Sequence, residues 1–223
     1  METYIPAIIT ASVALIAAVA AQFLNNWLTY RREEKKYLKE VYENFISEFF
    51  IDILTFVHIE TLPRKGHDAK GEIDISTVID NMFKKVHYGN EHLQSLHLEY
   101  KTLLYMEDFR GDTEKIAQLK ICYYFLLYSK NIFQELDFKL ESNVEFQLLH
   151  NTKILAYLYV YSEERDYEEA INKVVNIRMI ARDALDQYSL VDFDTLVNET
   201  SNEKREEFLK EIDKKIQNAN INL

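Results

Sequence analysis

Three histidines stand at steps of five in the stretch HYGNEHLQSLHLEY: His87, His92 and His97. Imidazole is the commonest metal ligand and the proton carrier closest to neutrality. On a regular helix, steps of five rotate by about 500°, so the three fan apart and share no face. His87 and Glu91 are four apart and do share one, and an irregularity at Gly89 would bring in His92. His87, Glu91 and His92 are therefore the candidates for a metal or nucleotide pocket. The H-E-x-x-H spacing of zinc hydrolases is absent. The competing reading is surface or internally satisfied histidines, and it extends to His58 and His150.

His67 lies in a loop beside Arg64, Lys65 and Asp68. Loops carry binding groups more often than helix faces do, so these four form a candidate binding loop. No glycine-rich phosphate loop, Gly-x-Ser-x-Gly elbow or Cys-x-x-Cys pair occurs. Helical nucleases with an arginine followed four to six residues later by histidine have no counterpart at arginines 31, 32, 64, 110, 165, 178 or 182. Arg178, Arg182 and Asp186 make an i,i+4 ladder, which reads as a solvated or partner-facing salt-bridge row. The 15 tyrosines, among them Tyr123, Tyr124, Tyr128, Tyr157, Tyr159 and Tyr161, read as core rings whose hydroxyls reach water or a partner. No catalytic residue and no cofactor is assigned.

The elements that would position these groups are helices. The chain has 223 residues with only 4 Gly and 2 Pro, far below the usual share of about 12% combined. Hairpins consume glycine at turns, so scarcity of both breakers favours long helices with few connections. The net charge of -11 opposes a polyanionic partner, and no nucleic acid is expected. The single cysteine, Cys122, sits in the apolar run LKICYYFLL and reads as a core thiol.

YIPAIITASVALIAAVAAQFLNNWL, residues 4–28, has no charge from Ile5 to Ala21. As a helix it covers about 35 Å against a hydrocarbon core of about 30 Å. Tyr4 and Trp27 bracket it where interfacial aromatics belong, and Pro6 falls in the first turn. A cleaved signal peptide would need a basic leader, whereas MET carries Glu2 and no cation. A buried soluble helix and an amphipathic surface helix are the other rivals, and the second fails for want of a polar face. The reading is a membrane anchor. No Lys or Arg precedes the span, and Arg31, Arg32, Lys35, Lys36 and Lys39 follow it. The positive-inside bias puts the N-terminus outside and the rest of the chain in the cytoplasm, and the same cations can meet lipid headgroups. Ala7, Ala11, Ala14, Ala18 and Ala21 recur at spacings of four and three, with Asn25 continuing the row. Small residues on one stripe let membrane helices approach closely, so a homo-oligomer is expected.

Apolar positions continue at helical spacing through Leu38, Val41 or Tyr42, Phe45, Phe49, Ile53 and Phe56. One continuous helix is expected from about Pro6 to Leu62. LPRKGHDAKGEID is the clearest loop. A second helix is expected from an N-cap at Ser76, interrupted at Gly89-Asn90 and ended by EDFRGD with Gly111 as its stop signal. A third, from Asp112 or Thr113 to about Leu140, is apolar nearly all round and reads as the central helix. A fourth covers roughly Glu145 to Ser162, although its ILAYLYVY run has strand composition. Asp166 with Glu169 forms a capping-box pattern before a fifth helix ending near Tyr188, and Thr200 with Glu203 forms another before a charged last helix. The fold class expected is all-α: a transmembrane anchor (1–30), an amphipathic stalk helix (31–62), a loop (63–75) and a cytoplasmic helical bundle (76–223).

The single N-terminal span, the RREEKKYLKEVY stalk and the LPRKGHD loop together resemble the layout of small, uncharacterised membrane-anchored proteins of low-GC bacteria and their mobile elements. The likeness covers mainly residues 1–70 and transfers no catalytic residue. Some proteins of that layout lie in phage-defence neighbourhoods, which implies a role in phage defence or exclusion. The function expected is non-enzymatic: membrane lipid and a second copy as partners of the span, and a cytoplasmic protein partner or signal for the bundle. The alternative is an enzyme with a metal or nucleotide pocket in the bundle.

Overall fold

The structure is a computed structural model and describes the backbone of residues 4–106, 111–180 and 185–221, with the side chains of 4–8, 11, 178–180 and 216–221 left aside. It is all-helical, with no strand among the described residues. Helix α1 runs Tyr4–Val41, a π turn follows at Tyr42–Ile46, and α2 runs Ser47–Glu60. The backbone stays helical where one long helix is expected, but it widens at 42–46. The extra residue in that turn shifts the buried face by about 100°. Phe45 and Ile46, and then Phe49 and Phe50, can thereby all be core residues.

The chain divides into two compact units, Met1–Glu40 and Val41–Leu223. In the first, Ile9, Val13, Leu15, Ile16, Val19, Phe23, Leu24 and Trp27 are all exposed. These large side chains take up one half of the helix circumference, and the exposed Ala14, Ala17, Ala18 and Ala21 take up the other. This is one helix long and apolar enough to span a membrane, and none of its most apolar stretch is buried in protein.

The second unit begins where the amphipathic pattern first finds partners. Val41, Phe45, Ile46, Phe49, Ile53 and Val57 are buried, so residues 41–60 belong to the body itself. A single turn α3 (Lys65–Asp68) interrupts the loop that follows. Next come α4 (Ile75–Phe83), a 3-10 turn (Val86–Tyr88) and α5 (Glu91–Leu103). The larger helices are α6 (Asp112–Glu135), α7 (Ser142–Glu164) and α8 (Tyr167–Ile180), and α9 (Leu190–Asn198) and α10 (Asn202–Ile221) complete the fold.

Several caps differ from the expected ones. Helix α4 starts on Asp74, whose carboxylate accepts from the Thr77 amide at 3.2 Å and the Thr77 hydroxyl at 2.7 Å. Ser76 is already inside the helix, and its Oγ accepts from Gln118. Asn90 caps α5 through the Leu93 amide, so Gly89-Asn90 is a true break. Gly111, at φ 65°, opens α6 rather than closing α5; most of EDFRGD lies outside the described residues. Glu169 does not complete a capping box with Asp166 but accepts from the Tyr161 hydroxyl at 2.7 Å. The capping box that does form is Ser189 with Asp192, at the start of α9, a helix not expected at all. At α10, Glu199 accepts from the amides of Thr200 and Ser201, in place of the expected Thr200–Glu203 pair.

The central helix is α7, not α6. Helices α6 and α7 pack along each other, and α7 also meets α2, α8, α9 and α10. Every residue from His150 to Ser162 is buried. The run ILAYLYVY is helical because it is surrounded by helices, and strand composition yields to that packing. Its tyrosines are long enough to bury the ring and deliver the hydroxyl to the rim of the core. Tyr157 donates to Asp213 at 3.1 Å, and Tyr159 to Glu163 at 2.7 Å. Tyr123 donates to Asp194 at 3.2 Å and Tyr167 to Glu60 at 2.9 Å. Each bond satisfies a polar atom whose burial without a partner would cost about 1–3 kcal/mol.

Burial first, and then the carboxylate neighbours, raise the phenols of Tyr123, Tyr157 and Tyr167 well above their ordinary value of 10.0. An unfolded chain ionises these groups near that value, whereas the folded one retains their protons. Their contribution to stability is therefore complete below about pH 10 and is lost as the pH rises beyond it. Helical circular dichroism should hold up to about pH 10 and then collapse steeply. Phenolate absorbance from the buried rings should appear together with that collapse. A smooth titration of all the tyrosines near pH 10 with the helices intact would contradict this packing.

Candidate functional site

Helices α5, α6 and α7 leave a groove between them. The side chains of α5 that face it, His92, Ser95, Leu96, Glu99 and Leu103, recur at three and four. Those of α6, Thr113, Ile116, Ala117, Lys120 and Tyr124, recur in the same way and form the floor. Tyr159 and Glu163 come from α7, and the turn between α9 and α10 closes one end with Asn198, Glu199, Thr200 and Arg205. The groove holds two adjoining cavities. One, of about 190 Å³, is lined mainly by Leu96, Leu103, Ile116, Ala117 and Ile121. The other, of about 340 Å³, is walled by polar groups. Leu96, Glu99, Lys120 and Tyr159 line both.

Lys120 stands at the junction. Its ammonium lies 5.7 Å from the centre of the Tyr159 ring and 3.8 Å from Glu99 Oε2. The Lys120 side chain is 28% exposed and that of Glu99 is 54% exposed. At the polar end, Arg205 Nη1 meets Glu163 Oε2 at 2.7 Å and Glu164 Oε1 at 3.5 Å, and Nη2 donates to the Val197 carbonyl. Burial alone would lower the Arg205 guanidinium, but Glu163 and Glu164 outweigh it and hold it above its ordinary value. Its Nε is buried without an acceptor among the described residues. The His92 ring stacks on Tyr124 at 5.2 Å, and the Tyr124 hydroxyl donates to Asn198 at 2.9 Å.

A second polar group surrounds the middle of α7. Lys153, nearly buried, donates to the Leu185 carbonyl at 3.3 Å and lies 3.5 Å from Asp186 Oδ1, while His150 Nδ1 is 3.6 Å from the same oxygen. The His150 ring stacks on Phe146. Asp186 therefore faces α7. Of the ladder expected with Arg178 and Arg182, Arg182 and the Arg178 side chain lie outside the described residues.

The histidines of the 87–97 stretch do fan apart, each onto a different ring. His87 meets Tyr88 at 4.2 Å, His92 meets Tyr124, and His97 stacks on Phe83 at 4.4 Å. Burial, helped by Lys101, lowers the His97 imidazole below its ordinary value. Among the described residues no three His, Cys, Asp or Glu side chains stand close enough to hold a metal. His87, Glu91 and His92 therefore do not form the metal site considered. The break at Gly89-Asn90 leaves His87 on the 3-10 turn while Glu91 and His92 start α5.

In the candidate loop, Lys65 is held by Glu60 at 2.6 Å and Glu72 at 3.1 Å, and His67 Nδ1 lies 2.7 Å from Asp68. Lys65 thus ties the loop back to α2, with Arg64 as the residue preceding α3. Ala14, Ala18, Ala21 and Asn25 are exposed on α1, and the side chains of Ala7 and Ala11 lie outside those described. Arg31, Arg32, Lys35 and Lys36 are exposed near the end of the apolar stretch, with Lys39 beyond them on the same helix. Arg31 lies 5.6 Å over Trp27 and 3.8 Å from Glu34.

Sequence reasoning did not single out Glu99, Lys120 or Arg205. Arg205 sits in SNEKREEF, which reads as a solvated helix start. Its partner Glu163 is 42 positions earlier, and no local spacing announces such a pair. No protein-family model, curated protein or solved structure matches this chain.

Replacing Arg205 leaves Glu163 and Glu164 without their cation, and Glu164 is only 7% exposed. Arg205→Met should lower unfolding free energy by about 3 kcal/mol in chemical denaturation. Adding Glu163→Gln should restore part of that loss, since the two residues act as one unit. Strict additivity of the two changes would mean that the pair is not coupled.

Proposed function

We propose that the protein is a single-pass, membrane-anchored helical protein of the cell membrane. Its N-terminus lies outside, and its acidic helical body lies in the cytoplasm. The span also holds copies together, and the body takes up a cytoplasmic partner or signal. The layout resemblance implies phage defence or exclusion as the setting. The observation that carries this reading is α1: ahead of Arg31 its described apolar side chains are exposed, and none of its most apolar stretch is buried in protein. At about 25 cal/mol per Å² of apolar surface, keeping them in water would be costly, and lipid removes that cost. The cations that follow, from Arg31 to Lys39, support the orientation. The stripe through Ala14, Ala18 and Ala21, with Ala7, Ala11 and Asn25 in the same row, supports self-association, because small residues allow close approach of two helices in lipid.

The body is where a signal would enter. The groove over α6 is a concave feature of the body with an apolar end, a polar end and a lysine between them. The enzyme alternative gains no support from His87, His92 and His97, which each lie against a different ring.

Lysine at the centre of a membrane helix costs about 2.5–3.5 kcal/mol per residue. Val13→Lys with Ile16→Lys should therefore release the protein from salt-washed membranes into the supernatant, with the wild type staying in the pellet. Ala14→Leu with Ala18→Leu should keep the protein in the pellet but weaken self-association in a membrane two-hybrid assay. Unchanged association would remove the stripe from the proposal, and unchanged fractionation of the lysine variant would remove the anchor.

A further inference from the structure

We infer that the groove over α6 binds a small zwitterion with an apolar side chain, of the chemical class of an apolar α-amino acid. The inference rests on reading the body as the part that takes up a signal, and it names the chemistry of that signal.

The argument starts from the pair at the junction of the two cavities. Lys120 and Glu99 are 3.8 Å apart, too far for a hydrogen bond. Among the described residues neither side chain has another ion partner or a hydrogen bond. The other charges beside the groove are engaged. Glu163 accepts from Tyr159 and from Arg205, and Arg205 holds Glu164 as well. Glu199 accepts from two amides and Lys204. One cation and one carboxylate are thus loosely joined at the middle of a groove whose other charged side chains are in ion pairs.

A ligand entering there separates Lys120 from Glu99. A simple anion would pair with the lysine and strand the carboxylate, and a simple amine would do the reverse. A group bearing both charges on adjacent atoms replaces both halves of the pair. Specificity of this kind comes from the unpaired charge that the wrong ligand leaves behind. Lys120 would take the carboxylate, with the Tyr159 ring behind the ammonium. Glu99 would take the ammonium. The ligand's side chain then has the apolar cavity of about 190 Å³ beside it, among Leu96, Leu103, Ile116 and Ala117.

The test uses the full chain in detergent micelles, with binding read by isothermal titration calorimetry. The probes are L-phenylalanine, L-leucine, 3-phenylpropionate and 2-phenylethylamine. At least one of the two amino acids should bind saturably. Phenylpropionate and phenylethylamine, each lacking one charge, should bind at least about tenfold more weakly than phenylalanine, the loss expected for one charged hydrogen bond. Glu99→Gln and Lys120→Met should each weaken amino-acid binding by at least about tenfold. Both side chains are part-exposed, and thermal melts should match the wild type. Ala117→Leu, which fills the apolar end and leaves both charges, should exclude phenylalanine.

Absence of saturable binding by both amino acids overturns the inference. So does phenylpropionate or phenylethylamine binding as well as phenylalanine, or binding that survives both charge variants. Membrane attachment and self-association are read separately by fractionation and two-hybrid signal, so failure here leaves those proposals standing.

Discussion

Apolar surface has to be taken out of water, and this chain presents two helices that pose the problem in full. Helix α7 is buried on every side from His150 to Ser162, and the body is arranged around it. Helices α2, α6, α8, α9 and α10 each cover part of its surface. Helix α1 is apolar over its first half, and none of its most apolar stretch among the described residues is buried in protein. The first case is closed by folding. The second is closed, on the reading proposed here, by lipid. The two solutions use different side chains: Ala, Ile, Val and Leu in α1, tyrosine among the aliphatics in α7.

Tyrosine matters because a helix buried all round has no face for polar groups, yet polar atoms fix which neighbours it accepts. The phenol solves this by distance. The ring fills the core, and the hydroxyl emerges where a carboxylate from another helix or turn waits. Tyr123 reaches α9, Tyr157 reaches α10 and Tyr167 reaches α2 in this way. Much of the acidic excess of the body is thus structural, since carboxylates serve as acceptors for these hydroxyls. Hydrogen bonds to charged acceptors are about twice as strong as neutral ones, which helps a glycine-poor chain hold helices in one arrangement.

How much of this was legible varied with range. Helical class, the long first helix and an interruption at Gly89-Asn90 follow from local pattern and breaker scarcity, the helical state of ILAYLYVY follows from the want of a partner strand, and the structure agrees. The π turn at 42–46 was not visible, because apolar spacing of three and four tolerates one extra residue without losing its period. Helix α9 was missed because Ser189–Asp192 is a short capping signal beside a stretch read as the end of a longer helix. The caps at Asp74 and Glu199 were missed by one or two positions, within the usual play of helix ends. The groove was illegible for a different reason. Glu99, Lys120 and Arg205 come from three helices, each charge looks solvated in its own segment, and only tertiary packing brings them to one place.

The account stands on where the two units are in the cell. The measurement that tests this most directly is protease protection of the full-length protein carrying a C-terminal epitope. Intact spheroplasts and inside-out vesicles would be compared after ultracentrifugation. The account predicts that the protein sediments with membranes, that the epitope survives protease in spheroplasts, and that it is lost in inside-out vesicles. Full-length protein in the aqueous supernatant, or an epitope cleaved from intact spheroplasts, would contradict it.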